Sequence, residues 1–238
     1  MLMTHPKKLL LEVCANGIES ALVAQQANVN RIELCEHLEV DGLTPIYKTI
    51  EAARIQLHIP IHVLIRPRAG NFFYSEEEFE IMKRDVKFCK SQKVEGIVFG
   101  ILKEDGTIDL KRCEELMEIP KPLSSTFHRA FDTVKNPFES LEEIIALGFD
   151  RILTSGQSPT CLDGSEVIAQ LVKQAAGRIS IMAGGGITEE NITEVVRRTH
   201  TNEFHFSAKS KLDDGNLISD LNRIRKIKEI AEKTFYDH

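Results

Sequence analysis

The sequence predicts an α/β protein built as a single (β/α)8 TIM-type barrel, on three observations. Eight short apolar runs of strand length recur along the 238 residues. Amphipathic segments with helix-start signals separate them, so the order is strand, loop, helix throughout. Several runs alternate polar and apolar residues, as in Arg31-Ile32-Glu33-Leu34-Cys35 and Glu203-Phe204-His205-Phe206-Ser207. A doubly wound open sheet, covered on both faces, reads instead as continuously apolar. A barrel lets the apolar set face the helices while the polar set faces the lumen.

Taken in order, the runs are 9–14, 31–35, 61–66, 96–100, 123–128, 151–155, 179–184 and 203–207. Helix starts are predicted where a capping side chain precedes an acidic residue by about three positions: Asn16 with Glu19, Ser75 with Glu78, Asn136 with Pro137 and Glu139, and Asp163 with Glu166. A last helix is expected over about 217–234. No linker or low-complexity stretch interrupts the pattern, so one domain is expected over 1–238.

Composition narrows the function classes. The net charge is −6 with interspersed signs, which gives no basic stripe for nucleic acid. No stretch approaches the roughly 18 apolar residues of a membrane span, and the first residues have no sustained apolar region. A cytoplasmic location is the expectation. The five cysteines fit neither a disulfide framework nor paired zinc knuckles. Cys89, in step with Phe79, Met82 and Val86, and Cys113, in step with Leu110, Leu116 and Met117, read as core positions of helices. Cys161, in a loop after Ser158-Pro159, has no role assigned by its surroundings.

Barrel chemistry gathers where strands end at their C-terminal side. Glu12-Val13-Cys14 and Glu33-Leu34-Cys35 each put a carboxylate and a thiol on one strand face. Buried carboxylates need partners, and Arg66 on the next strand is the expected one for Glu12 and Glu33. Arg31 and Arg151 begin their strands at the opposite, stability end. The segment His128-Arg129-Ala130-Phe131-Asp132 offers a base, a cation and a carboxylate, so Glu12, Glu33, Arg66, His128 and Asp132 are the candidate catalytic residues. Arg68, Gly185, Gly186, Ser207 and Lys209 are candidate anion-binding residues, the last four in loops after strands 7 and 8. Strand 4, ending at Phe99-Gly100, carries no such chemistry. Without a strand-end lysine or a nucleophile elbow, neither a Schiff-base aldolase nor a serine hydrolase finds support.

Together these stretches resemble the copper homeostasis protein CutC family. The resemblance rests on Leu11-Glu12-Val13-Cys14, Arg31 to Cys35, Gly42-Leu43-Thr44-Pro45, Ile65-Arg66-Pro67-Arg68, Val98-Phe99-Gly100, Thr126 to Asp132, Arg151 to Gln157 and Gly184-Gly185-Gly186. It spans about 9–209. It implies a barrel fold, a homodimer, a role in copper tolerance and Cu(I) held by Cys14 and Cys35, which two soft thiolates on adjacent strands permit. The chain departs from the family pattern at Asp41, at Ala183 and in His205-Phe206-Ser207-Ala208-Lys209, where a glycine and an arginine are expected. The alternative from the residues themselves is an enzyme acting on a small anionic or phosphorylated metabolite.

Overall fold

The computed structural model describes residues 8–121, 123–212 and 215–237; the remaining positions of the predicted 1–238 unit lie outside the described residues. Eight parallel strands close into a barrel: β1 (Leu10–Asn16), β2 (Arg31–Cys35), β3 (Ile61–Leu64), β4 (Gly96–Phe99), β5 (Ser124–Phe127), β6 (Arg151–Thr154), β7 (Ser180–Gly184) and β8 (Glu203–Phe206). Pairing of β1 with β8 closes the ring. The outer ring is α1 (Gly17–Gln26), α2 (Tyr47–Gln56), α3 (Glu76–Ser91), α4 (Leu110–Glu118), α5 (Pro137–Leu147), α6 (Ser165–Ala175), α7 (Ile192–Thr199) and α8 (Leu221–Tyr236). Each predicted strand is present, with ends within two residues of those expected and β2 coinciding with its run.

Two predicted caps hold and two do not. Ser75 and Glu78 form a reciprocal capping box, and Asn136 accepts from the amides of Phe138 and Glu139 ahead of Pro137. Asn16 instead ends β1: its amide group donates to the Leu217 carbonyl and its oxygen accepts from Leu38 N–H. Asp163 accepts from the Thr160 hydroxyl, and Gly164 opens α6 without a side-chain cap. The last helix also starts later than expected, at Leu221 behind an Asp220 cap. Residues Leu217–Ser219 form β10, which pairs antiparallel with β9 (Lys209–Lys211), so Lys209 opens a strand where a loop was expected.

Alternation sorts the strands as predicted. Val13, Ala15, Ile32, Leu34, Val63, Ile97, Phe99, Phe127, Ile152, Phe204 and Phe206 join the helices in one large core, which also buries Cys89, Cys113 and Cys161. The lumen set is polar at the floor. Arg31 pairs with Glu12 and, at 2.6 Å, with Glu203; Arg151 reaches Glu203 at 3.0 Å, and Ser180 donates to its other oxygen at 2.7 Å. The two arginines are therefore stability residues. No helix among the described residues is long and apolar enough to cross a membrane.

Glu203 thus bridges two guanidiniums, with Glu12 as the second acid of the set. Burial favours its neutral form, but Arg151 and Arg31 hold its pKa below the usual carboxylate range. Removing one partner of a buried ion pair leaves the other charge uncompensated, so Glu203→Gln is expected to cost about 3–5 kcal/mol in chemical denaturation. A loss below about 1 kcal/mol, the scale of a surface pair, would show that the floor does not depend on this carboxylate.

Candidate functional site

Above the charged floor lies a hub, His205. Its Nδ1 meets Glu12 Oε1 at 2.8 Å, its Nε2 stands 3.4 Å from Glu33 Oε2, and Cys14 is its third neighbour. Burial opposes charge on this imidazole, yet Glu33, Cys14 and Glu12 together hold its pKa well above the usual histidine value. Glu12 is buried and would be raised by that alone, but Arg31 and then His205 lower it well below the carboxylate range. Glu33 keeps less support: burial dominates over His205, and its pKa rises to about 7. Glu33 Oε2 has no hydrogen-bond partner, the 3.4 Å approach of His205 lacking the geometry for one.

Arg66 does not pair with either glutamate. Strand register places Arg31 beside Glu12 and His62 beside Glu33. Arg66 lies two residues past the end of β3, one layer higher, where it donates to the carbonyls of Val40, Gly42 and Gly70 at 2.8–3.0 Å. His62 fills the level of Glu33 as a neutral ring. Burial, against the pull of Glu12, lowers its pKa to about 4.

A cavity of about 650 Å³ opens at this end of the barrel, and Cys14, Glu33, Arg66, His128, Asp132, Gly185, Gly186, Ser207 and Lys209 all line it. Three candidates do not. Glu12 lies beneath, holding His205. Cys35 is fully buried under the loop at Gly42, although its sulfur is 3.6 Å from that of Cys14. Arg68 is bound within its own loop, to Glu78, Asn71 and the carbonyls of Ala69 and Phe73. Arg129 takes the cavity-facing place, bridging Asp132 at 2.8 Å and Ser155 at 3.0 Å.

Asp132 lines the cavity but its oxygens are occupied, accepting from Arg129, Thr154, Ser155 and the Gln157 amide. It braces the loop after β6. Gly185 and Gly186 sit at φ 104° and 75°, which only glycine adopts without strain. Their amides have no acceptor among the described residues, and the Cys161 amide fixes the turn by donating to Gly185 O. That backbone bond gives Cys161 a structural place.

The chemistry of β4 was missed because it consists of absent side chains. A Cβ on Gly96 would lie 2.6 Å from the His62 ring, and one on Gly100, just past the strand, 2.7 Å from His128 Nδ1. His205 was underrated as well. Its alternation with Glu203 in β8 was the signal that both point inward.

One donor set among the described residues is close enough to share a metal ion. Cys14, Glu33 and His205 bring ligand atoms within 4.8 Å of one another, and Cys35 adds a second sulfur. Two opposed metal–sulfur bonds of about 2.3 Å span roughly 4.6 Å, so sulfurs at 3.6 Å suit a third ligand better than a linear pair. The Cys35 contact, then burial and the two neighbouring acids Cys35 and Glu33, keep the Cys14 thiol well above its usual pKa.

The electrostatics fix a pH dependence. Glu33 titrates near 7 in the fold against 4.5 ordinarily, so the folded chain holds a proton that the unfolded chain releases, and stability falls as pH rises between those values. The raised His205 adds a decline above its ordinary 6.5. In metal-free protein, Glu33→Gln is expected to flatten the fall of Tm between pH 5 and 8. Equal slopes for variant and parent would refute the titration.

Comparison with known proteins follows the same lines. The family model of the CutC family matches residues 9–210. The copper homeostasis protein cutC homolog of Homo sapiens is 45% identical over 206 residues, covering 87% of this chain and 76% of that protein. The family protein CutC of Treponema denticola is 43% identical over 208 residues, covering 87% and 85%. A crystal structure of CutC from Streptococcus agalactiae superposes with a TM-score of 0.80 at 35% identity, over 84% of this chain and 98% of that one. With a family model matched over residues 9–210, relatives 43–45% identical over 87% of its length and a shared barrel, the chain belongs to the CutC family.

Proposed function

We propose that this protein serves copper homeostasis by binding Cu(I) at the thiol side of the barrel cavity. The observation that carries the reading is the approach of Cys14 Sγ to Cys35 Sγ, 3.6 Å, with one thiol on the cavity wall and the other behind it. Soft sulfur donors favour Cu(I) over the harder divalent ions. His205 or Glu33 supplies the third ligand that the sulfur separation calls for. Both thiols bind as thiolates, and Cys14 is held protonated, so uptake releases protons and affinity rises with pH.

Competition with a Cu(I) chelator under reducing conditions is the test. The double variant Cys14→Ser with Cys35→Ser is expected to lose stoichiometric Cu(I) binding and keep the barrel's circular dichroism spectrum. Undiminished binding by the double variant would remove the thiols from the proposal.

A second reading, an enzyme acting on a small anionic or phosphorylated metabolite, is favoured by Glu33. Its carboxyl faces the cavity, has an unpartnered oxygen and titrates near 7, which is what a general acid or base needs and a carrier does not. Gly185, Gly186, Ser207 and Lys209 on the same cavity supply the anion-binding side, with His128 and Asp132 beside them. A thermal-shift screen of phosphorylated metabolites is expected to find at least one that raises Tm. A screen in which none does would count against this reading.

A further inference from the structure

Arg66 is 5% exposed, yet no carboxylate among the described residues lies within ion-pair distance of it. Its neighbours along the cavity differ: Arg129 has Asp132 and Arg223 has Glu189. Asp41, flanked by two of the carbonyls that Arg66 holds, is exposed at the rim and makes no ion pair with it. Tyr74, buried beside Arg66, has its hydroxyl pushed up to about 12 by burial, so it adds no negative charge. The carbonyls of Val40, Gly42 and Gly70 orient the guanidinium without neutralising it, and Nε has no acceptor.

His128 is the second anomaly. Its Nδ1 accepts from the Ala130 amide at 3.1 Å, which assigns the ring proton to Nε2. That Nε2–H is buried and has no acceptor. Burial, and then the Arg66 charge, lower the pKa to about 3, so the ring remains a neutral donor. Both side chains border Phe72: the Arg66 guanidinium carbon is 5.3 Å from its ring centroid and the His128 ring 4.9 Å. All three line the cavity. One cation without a counter-charge, held by neutral carbonyls, and one donor without an acceptor complement an oxyanion, and the aromatic ring offers an apolar surface to whatever the oxyanion is attached to.

We propose that Arg66 and His128 hold the oxyanion end of a small organic acid, a carboxylate or a phosphate ester, with its body against Phe72. This deepens the small-anion reading above and rests on it. The cavity, about 650 Å³, has the size of a metabolite site.

Isothermal titration of the metal-free protein with succinate, 2-phosphoglycolate and, as a neutral control, succinamide tests the assignment. Binding of succinate or of 2-phosphoglycolate, but not of succinamide, is expected, and which of the two binds separates carboxylate from phosphate ester. His128→Asn keeps an acceptor near the Ala130 amide but is too short to present the Nε2 donor, so it is expected to weaken binding about tenfold in a fully folded protein. Arg66→Lys, which keeps charge but loses the planar fork, is expected to weaken it further. Should both variants bind as the parent does while Lys209→Ala or Gly186→Ala abolishes binding, the oxyanion sits elsewhere in the cavity and this assignment is overturned while the small-anion reading stands. Should neither anion bind the parent, this assignment is overturned, while the small-anion reading stands or falls with the thermal-shift screen.

Discussion

The interior of this barrel depends on the mutual neutralisation of Glu12, Arg31, Glu203 and Arg151. Four charges taken out of water are tolerable only as a closed set, and here two acids meet two bases with Ser180 and Ser124 on the remaining positions. The set extends upward through one atom. Glu12 spends one oxygen on Arg31 and the other on His205, so the floor that stabilises the barrel also decides the orientation and charge of the imidazole in the site. Stability and chemistry share a residue, and neither can be altered without the other.

Moving up the lumen, compensation becomes progressively less complete. The floor is balanced, the His205 level leaves Glu33 half-supported, and the Arg66 and His128 level carries a cation with no counter-charge and two donor atoms, Arg66 Nε and His128 Nε2, with no acceptor. Cys14, Cys35, Leu64 and Val98 form a separate apolar cluster between these levels. This places soft sulfur in an apolar patch of the wall, next to polar groups that lack partners. The proposed metal site and the proposed anion site would draw on different parts of one wall.

What was legible in the sequence follows from the range of the interactions involved. Strand positions and the inward set could be read because alternation is local, and the Ser75 cap because its partner Glu78 is three residues away. Asn16 was misread as a cap because its side chain is claimed by Leu217, across nearly the whole chain. The partner of Glu12 was misplaced for a related reason: adjacency of strands does not reveal which residues share a level, and register gave Glu12 to Arg31 and lifted Arg66 above both glutamates. Cys35 was expected beside Cys14 at the mouth, and only the path of the loop at Gly42 puts it behind. Arg68 looked like a free cation at a strand end, but its own loop and Glu78 satisfy it.

Gly96 and Gly100 leave one further consequence. The width of the lumen beside β4 is set by two missing carbon atoms, into which the rings of His62 and His128 lean from the strands on either side. The site is therefore lopsided by construction, with its polar groups coming from the other strands and the space beside β4 taken up by rings from its two neighbours. A strand that contributes no reacting atom becomes a wall that resists replacement, since a side chain at Gly96 would displace the His62 ring and one at Gly100 the His128 ring.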